Sequence, residues 1–505
     1  MSDSDASFSP RTAAAIDVGS NSIRLVMYRL EGRAIWTVFN EKVLAGLGRD
    51  LATTGRLSPV GARAAMAALA RFQALIEAAR PDHVFAVATA AVREAADGEG
   101  FVRHVASMTG LRLRVLSGEE EARYAALGVL AGAPRSGGLV ADLGGGSLEL
   151  IRLIDGAPAN GVTLPLGPFA FRQASGRRDP SVLRAAIAER VRNIPKLYHA
   201  SELTAVGGAW RNLALLHMRM SGYPLEIVHQ YEMTRREALE ASRFIAQQSR
   251  GSLERIEGLS KRRMEALPHA AAVLEALIET LGLERLIISA YGLREGLLMG
   301  AMDPGARADD PLVAGCWALG ADPRGAATLG SALETWLTPA FAQLEPVFGP
   351  REPTLIAAAC GLAEFGARLH PDHRADLVFD QVLRAPIPGM DHAERVFLAC
   401  AAFARHTAAP VIREPALVER ILSSERHHRA RVLGAALRLG ASLSGRSPTL
   451  LARARLSIRS TTIMLEADEA WAMMLLGDQT EKRAATLAAL LGRELKMRAT
   501  PASVA

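Results

Sequence analysis

The stretch VADLGGGSLEL, residues 140–150, places three consecutive glycines between an apolar run ending in Asp142 and a second one opening with Leu148. Three glycines in a row weaken a strand and break a helix, so they read as the turn of a hairpin. The loop Gly144, Gly145, Gly146, Ser147 is nearly free of side chains. Its backbone N–H groups can therefore converge on one anion, as in a phosphate-binding nest. Asp142, at the strand end, is placed to hold a cation or a metal-bound water beside that phosphate. A tight turn without a ligand is the other reading of one such hairpin.

A second copy narrows the choice. IDVGSNSIRL (16–25) aligns without a gap with ADLGGGSLEL (141–150). Both read Asp, apolar, Gly, two small residues, Ser, apolar, charged, Leu. The 125-residue offset is far longer than a solenoid period. This pattern predicts one domain used twice, each half giving a hairpin to a shared cleft. Around the hairpins, strands alternate with helices, which predicts an α/β fold. The spacing predicts a helix over 58–80 with Ser58 as N-cap and Pro59 at its first position, a strand over 83–91 and a helix over roughly 94–109. A strand over 111–117 and a helix over 118–132 follow. In that last helix Ser117 and Glu120 form a capping box and Glu119 faces solvent.

The chain has 505 residues, of which 49% are hydrophobic and 22% charged, enough for roughly three domains. Cys316, Cys360 and Cys400 are far apart, which argues against a disulfide framework or a cysteine zinc site. The polar N-terminus MSDSDASFSP does not read as a signal peptide. No apolar run reaches the ~18 residues that span a bilayer. The expectation is a soluble, cytoplasmic protein without a membrane or a specific nucleic-acid partner. No GxxxxGK[ST] loop occurs, and GLGRDL (46–51) fails the dinucleotide fingerprint. A net charge of +6 is compatible with a polyanionic partner.

AAIDVGSNSIRLVM (14–27), ATAAVREA (88–95), LSGEEEARYAALGV (116–129), VADLGGGSLEL (140–150) and YGLREGLL (291–298) together resemble the exopolyphosphatase / guanosine pentaphosphate phosphohydrolase family. The resemblance covers roughly residues 11–305. It implies two ribonuclease-H-like domains of the actin, sugar kinase and chaperone ATPase superfamily around a cleft, over 1–135 and 136–305. It also implies a helical HD-like domain over 306–450, and a small α+β domain over 451–505 is read from its pattern. The implied function is a magnesium-dependent (or other divalent-cation) exopolyphosphatase that removes the terminal phosphate of inorganic polyphosphate. The rivals are a pppGpp phosphohydrolase on the same machinery and an actin- or chaperone-like ATP-binding module. A homodimer is implied by the resemblance alone.

The same resemblance assigns roles. Glu121 matches the catalytic glutamate, a general base for the attacking water. Arg93 matches a phosphate-binding arginine, joined by Asn21 and Ser22. Glu149 matches the glutamate of GGGSxE and would share a magnesium ion with Asp142, Asp17 completing the metal set. The loop at Gly207 and Gly208 lines the cleft. The hydroxyl residue usual after these glycines is replaced by Ala209 and Trp210. Arg294 and Glu295 read first as an ion pair at a helix start. His269 stands where relatives often carry glycine, with no role derivable from sequence.

The segment 304–311 (PGARADDP) reads as a linker, and 312–450 as mostly helical. The HD-like region lacks a His-Asp dipeptide, so it is read as carrying no metal chemistry of its own. The final segment reads β-β-α-β, its helix capped by Thr480. Eight arginines against one acid over 421–460 suggest a basic track for a long polyanion, represented by Arg426, Arg429 and Arg431. Solvated helix faces are the alternative.

Overall fold

The computed structural model describes residues 11–171, 180–248, 266–320, 328–409 and 412–501. They divide into two compact units, Met1–Ala308 and Asp309–Ala505. Among the described residues no helix is long and apolar enough to cross a membrane.

In the first unit, β1 (Arg11–Val18), β2 (Ile23–Glu31) and β3 (Ala34–Val43) form an antiparallel meander. β4 (His83–Ala88) and β5 (Arg114–Val115) continue the sheet in parallel, in the order β3-β2-β1-β4-β5. The second sheet repeats the plan. β6 (Gly138–Leu143), β7 (Leu148–Ile154) and β8 (Ala157–Leu164) form the meander, and β9 (Glu202–Val206) runs parallel to β6. β11 (Arg285–Ile288) lies parallel to β9, with β10 (Glu232–Thr234) antiparallel at the edge. Strands β1 and β6 are buried on both faces, as central strands covered by helices must be.

The helices Gly118–Gly132 and Leu293–Ala301 pack face to face at glycines. A Cβ at Gly128 would stand 1.9 Å from the Gly292 carbonyl oxygen, and one at Gly296 1.8 Å from that of Tyr124. The Gly118–Gly132 helix has the expected Ser117–Glu120 capping box.

Several expectations need correction. The 83–91 strand stops at Ala88, and Ala90–Glu94 is a short helix, because the Thr89 carbonyl accepts from the Val92 and Arg93 N–H groups and so opens a helical turn. The following helix begins at Gly98 rather than near 94. The 111–117 strand shrinks to Arg114–Val115, since only those residues pair with β4. Part of the expected linker, Pro304–Ala308, is a short helix.

The second unit carries the helices Pro311–Gly320, Leu329–Phe341, Glu352–Gly361, Arg374–Arg384, His392–His406 and Ser424–Leu443. It ends in a three-stranded sheet of β12 (Ala454–Ile458), β13 (Thr462–Asp468) and β14 (Glu494–Thr500). β13 and β14 are parallel, so a crossover is required. Two helices supply it, Glu469–Leu475 and Asp478–Leu491, where one was expected. The second begins after Gly477, and Thr480 is buried inside it rather than capping it.

Candidate active site at the paired hairpins

The two hairpins close identically. The Gly19 N–H donates to the Ser22 carbonyl at 3.1 Å, and the Gly144 N–H to the Ser147 carbonyl at 2.9 Å. They also meet: a Cβ on Gly145 would lie 3.1 Å from the Ser20 Cβ and 3.3 Å from the Phe169 ring. The glycines thus make room for the opposite hairpin as well as for a ligand. The loop after β8 braces them from behind. Gly167 donates to the Gly146 carbonyl at 3.1 Å and Phe169 to the Gly145 carbonyl at 2.9 Å. A Cβ at Gly167 would stand 2.4 Å from the Gly146 carbonyl carbon.

His269 explains how that loop is held. Its Nε2 lies 2.7 Å from the Leu166 carbonyl oxygen, and its ring packs on Phe171 with centroids 5.4 Å apart. Burial depresses its pKa, which keeps the ring neutral.

Asp17 and Asp142 sit at equivalent positions near the ends of β1 and β6. Burial raises both carboxyls, Asp142 to about 6, and each is opposed by the Arg294 guanidinium. Arg24 and Lys42 also favour ionised Asp17, and Arg211 favours ionised Asp142. Glu295 accepts from the Tyr28 hydroxyl at 2.6 Å and the Gly292 N–H at 3.0 Å, and against burial the Arg294 charge is the chief influence holding its carboxyl down. The expected structural pairing is wider than two residues: Arg294 acts as a shared countercharge for the two aspartates and Glu295. Arg211 and Arg24 are charged neighbours of the site that sequence reasoning passed over, and Arg294 is one that it read first as structural. The signal for Arg24 was present, since it occupies in the first hairpin the place of Glu149 in the second.

Glu121, 8% exposed, is carried by the first turn of the Gly118–Gly132 helix. Burial pushes its carboxyl up to about 7 against the pull of Arg93, and Asp142 and Asp17 add to the rise. Arg93 Nη1 donates to Glu121 Oε2 and to the Leu116 carbonyl, both at 2.9 Å. One arm of Arg93 is therefore engaged with the glutamate. Glu149 lies directly across β6–β7 from Asp142. Burial, then Glu121, raises its carboxyl, while a hydrogen bond from Ser147 opposes the rise. Its Oε1 is buried without a hydrogen-bond partner.

Gly207, with φ of 115°, turns β9 into the Gly208–Met220 helix. Such a φ suits glycine. A Cβ there would come within 2.7 Å of the Leu143 carbonyl oxygen and 3.5 Å of Asp142 Oδ1. Gly208 faces open space. Trp210 is fully buried and donates to the Ala270 carbonyl at 2.9 Å, so it anchors the helix. Asn21 is exposed and Ser22 half-buried, their carbonyls engaged by Gly46 and Gly19.

The expected three-carboxylate metal set is not preformed. Among the described residues no three His, Cys, Asp or Glu side chains are grouped to hold a metal ion. Asp17 is instead offset by Arg294, Arg24 and Lys42. Asp142 with the unpartnered Glu149 oxygen still suits a magnesium ion, which needs only one or two carboxylates and keeps most of its waters.

The basic track is also corrected. Arg429 pairs with Glu352 and donates to the Glu345 carbonyl at 2.8 Å, its side chain 12% exposed. Arg426 lies over the Phe348 ring at 4.2 Å and donates to the Val347 carbonyl at 3.2 Å. Arg431 is half-buried and lines a small, partly open pocket. These three form no open row of free cations.

Two duplicated α/β lobes meeting at facing turn loops, with buried carboxylates beside them, define the actin-like ATPase fold. The chain belongs to the Ppx/GppA phosphatase family, whose model matches residues 26–304, and residues 331–498 match the exopolyphosphatase C-terminal model. It is 27% identical over 304 residues to Exopolyphosphatase 1 of Mycobacterium tuberculosis, covering 57% of this chain and 87% of the relative. It is 28% identical over 300 residues to the guanosine-5'-triphosphate,3'-diphosphate pyrophosphatase of Aeromonas hydrophila, covering 57% and 59%. Among solved structures, an exopolyphosphatase from Cytophaga hutchinsonii superposes with TM-score 0.53 at 20% identity, over 58% of this chain and 98% of that one. The Aquifex aeolicus family member gives TM-score 0.51 at 24% identity, over 58% and 98%.

Proposed function

We propose that this protein hydrolyses the terminal phosphoanhydride bond of inorganic polyphosphate. The observation that carries the reading is Glu121: a buried carboxyl pushed up to about 7, held by Arg93 and within the electrostatic reach of Asp142 and Asp17, which stand near the ends of the strands leading into the two hairpins. A base poised near working pH suits water activation. In the proposed step Glu121 takes a proton from a water as its oxygen bonds to the terminal phosphorus. The bridging P–O bond breaks, and the shortened chain leaves with the electron pair. The N–H groups of Gly145 and Gly146 and the start of the Gly208–Met220 helix receive the charge on the phosphoryl oxygens. The other arm of Arg93, 3.8 Å from the half-exposed Glu94 carboxylate, adds a charge-assisted contact. Asn21, Ser22 and Ser147 complete the phosphate-facing set. A divalent cation at Asp142 and Glu149 would neutralise phosphoryl charge.

The match of residues 331–498 to an exopolyphosphatase C-terminal model and the mycobacterial relatives support polyphosphate. The Aeromonas relative supports a second reading, pppGpp as substrate of the same site. A cytoplasmic homodimer completes the proposal, and light scattering reads its stoichiometry. Phosphate release from polyphosphate, pppGpp and ATP, assayed in parallel, tests the substrate. Polyphosphate is expected to be cleaved fastest. Release from pppGpp alone would select the second reading, and binding of ATP without release from any substrate would overturn both.

A further inference from the structure

The sheet that closes the second unit leaves its β12 edge open beside the Leu329–Phe341 helix. In the unbroken antiparallel register of β12 and β13, Arg459 donates to the Thr462 carbonyl at 2.8 Å and Asp468 to the Arg453 carbonyl at 3.0 Å. Bonded and non-bonded pairs alternate in such a ladder. Arg455 and Ser457 therefore turn their backbone groups to β13, and Ala454, Leu456 and Ile458 turn theirs outward. One outward group is used: Trp336 Nε1 donates to the Ala454 carbonyl at 2.9 Å. The N–H and C=O groups of Leu456 and Ile458 make no hydrogen bond to another described residue. These residues line a groove of about 720 Å³ between strand and helix, whose other wall includes Thr335, Trp336 and Pro339. Pro339 has no N–H, so the Thr335 carbonyl lacks its usual helical donor. Arg455, Ser457 and Arg459 share the open face of the strand, and both arginines are exposed without an ion pair to a described residue. The acid opposite Arg455, Glu466, is held by Arg498 at 2.7 Å.

A strand edge with free donors and acceptors is a template for one more strand. We propose that β12 is a docking edge for an extended acidic peptide segment of another protein, which joins the sheet as a fourth strand. The backbone selects a peptide over a polyphosphate or a nucleic acid. Each outward residue presents a carbonyl as well as an N–H, and only a peptide strand answers both, whereas a phosphate chain would bring negative oxygens to the carbonyls. Charge then selects the sequence. Side chains at alternate positions of an added strand stand about 5 Å from their cross-strand neighbours, so acids four residues apart would meet both Arg455 and Arg459. The intervening side chains enter the groove beside Trp336 and Pro339, where apolar groups suit them. A second copy of the same edge is disfavoured, because two β12 strands paired antiparallel about Ser457 would set Arg455 against Arg459. The edge lies wholly in the second unit and is independent of the hairpin site in the first.

The test uses the full chain and labelled ten-residue probes read by fluorescence anisotropy. A probe of alternating Glu and Val is expected to bind saturably, and one of alternating Lys and Val at least tenfold more weakly. Arg455→Gln combined with Arg459→Gln is expected to weaken the Glu probe at least tenfold while keeping the wild-type Tm, since neither side chain has a described partner to lose. Two further Glu–Val probes carry N-methyl groups, one on every Glu and the other on every Val. Strand pairing uses the N–H groups of one set only, so one of these probes should lose at least tenfold in affinity and the other should bind as before. No binding of the Glu probe, equal binding of the Glu and Lys probes, unchanged binding to the double variant, or no difference between the two methylated probes would overturn the proposal. So would two other results. Tripolyphosphate competing as well as unlabelled peptide would assign the patch to a polyanion. Probe binding that weakens as protein concentration rises, with a dimer in light scattering, would assign the edge to a second copy.

Discussion

The hairpins at 16–25 and 141–150 share backbone and register yet differ in charge. In the first, Asp17 faces Arg24 across β1–β2. In the second, Asp142 faces Glu149 across β6–β7. One fold element used twice thus carries an acid and a base on one side and two acids on the other. In the first, Arg24 offsets part of the burial that still raises Asp17, whereas the second holds two buried carboxylates that both favour protonation or a cation. Duplication supplied the frame, and a single position decided which lobe would handle charge. Glu121 lies on the acidic side of this asymmetry, since its own titration is tied to Asp142 and to Glu149.

The largest effect is expected at Glu121. Glu121→Gln should lower kcat for phosphate release by about 10²–10⁴, the range typical of a lost general base, with folding retained by circular dichroism. A variant with wild-type turnover would remove Glu121 from the mechanism. Glu149→Gln comes next, at about 10²-fold. It also bears on stability, because folded Glu149 titrates above its unfolded value of 4.5. The native state then holds the extra proton, and stability falls as pH rises past 4.5. Replacing the acid should therefore raise Tm at pH 8 by a few degrees, on the order of 1 kcal/mol. Magnesium should raise the Tm of wild type, and chelation should reverse the rise. Asp142→Asn and Glu149→Gln should abolish that response while Asp17→Asn retains most of it. Equal loss in all three variants would erase the distinction between the hairpins.

The asymmetry was readable before any coordinates, because local spacing carried it. Asp, glycine and the charged residue fall within eight positions, and a gapless alignment exposes them. The start of the Gly118–Gly132 helix was equally local, since its capping box spans Ser117 to Glu120. What escaped depends on partners far along the chain. Arg429 looks like a free cation until Glu352, 77 positions earlier, is seen to hold it. Arg294 looks like half of a local pair until Tyr28, 267 positions before Glu295, joins it at the carboxylate and Asp17 and Asp142 share its charge. The glycines at 145 and 146 suggested room for a ligand, whereas Ser20, Phe169 and Gly167 also press on them. Composition cannot report a distant backbone approaching from behind.

A smaller effect should follow from Arg93→Met. Arg93 holds the Glu121 carboxyl down, so its loss should move the acid limb of the pH–kcat/KM profile above its wild-type position near 7. An unmoved limb would mean that another group sets it.

The smallest effect concerns the brace that only the second hairpin has. His269 reaches that hairpin through Leu166 and Gly167, and the first is tied instead by Gly46 and Gly48 to the carbonyls of Asn21 and Ser20. His269→Ala leaves the buried Leu166 carbonyl unpaired, at a cost of about 1–3 kcal/mol. The loop should then loosen its hold on Gly145 and Gly146, lowering kcat about two- to tenfold with little change in KM. His269→Gln, which keeps a donor, should recover most of the rate, separating positioning from simple packing. If both variants lost Tm alike while keeping full kcat, the brace would serve stability alone, and the second hairpin would be rigid enough without it.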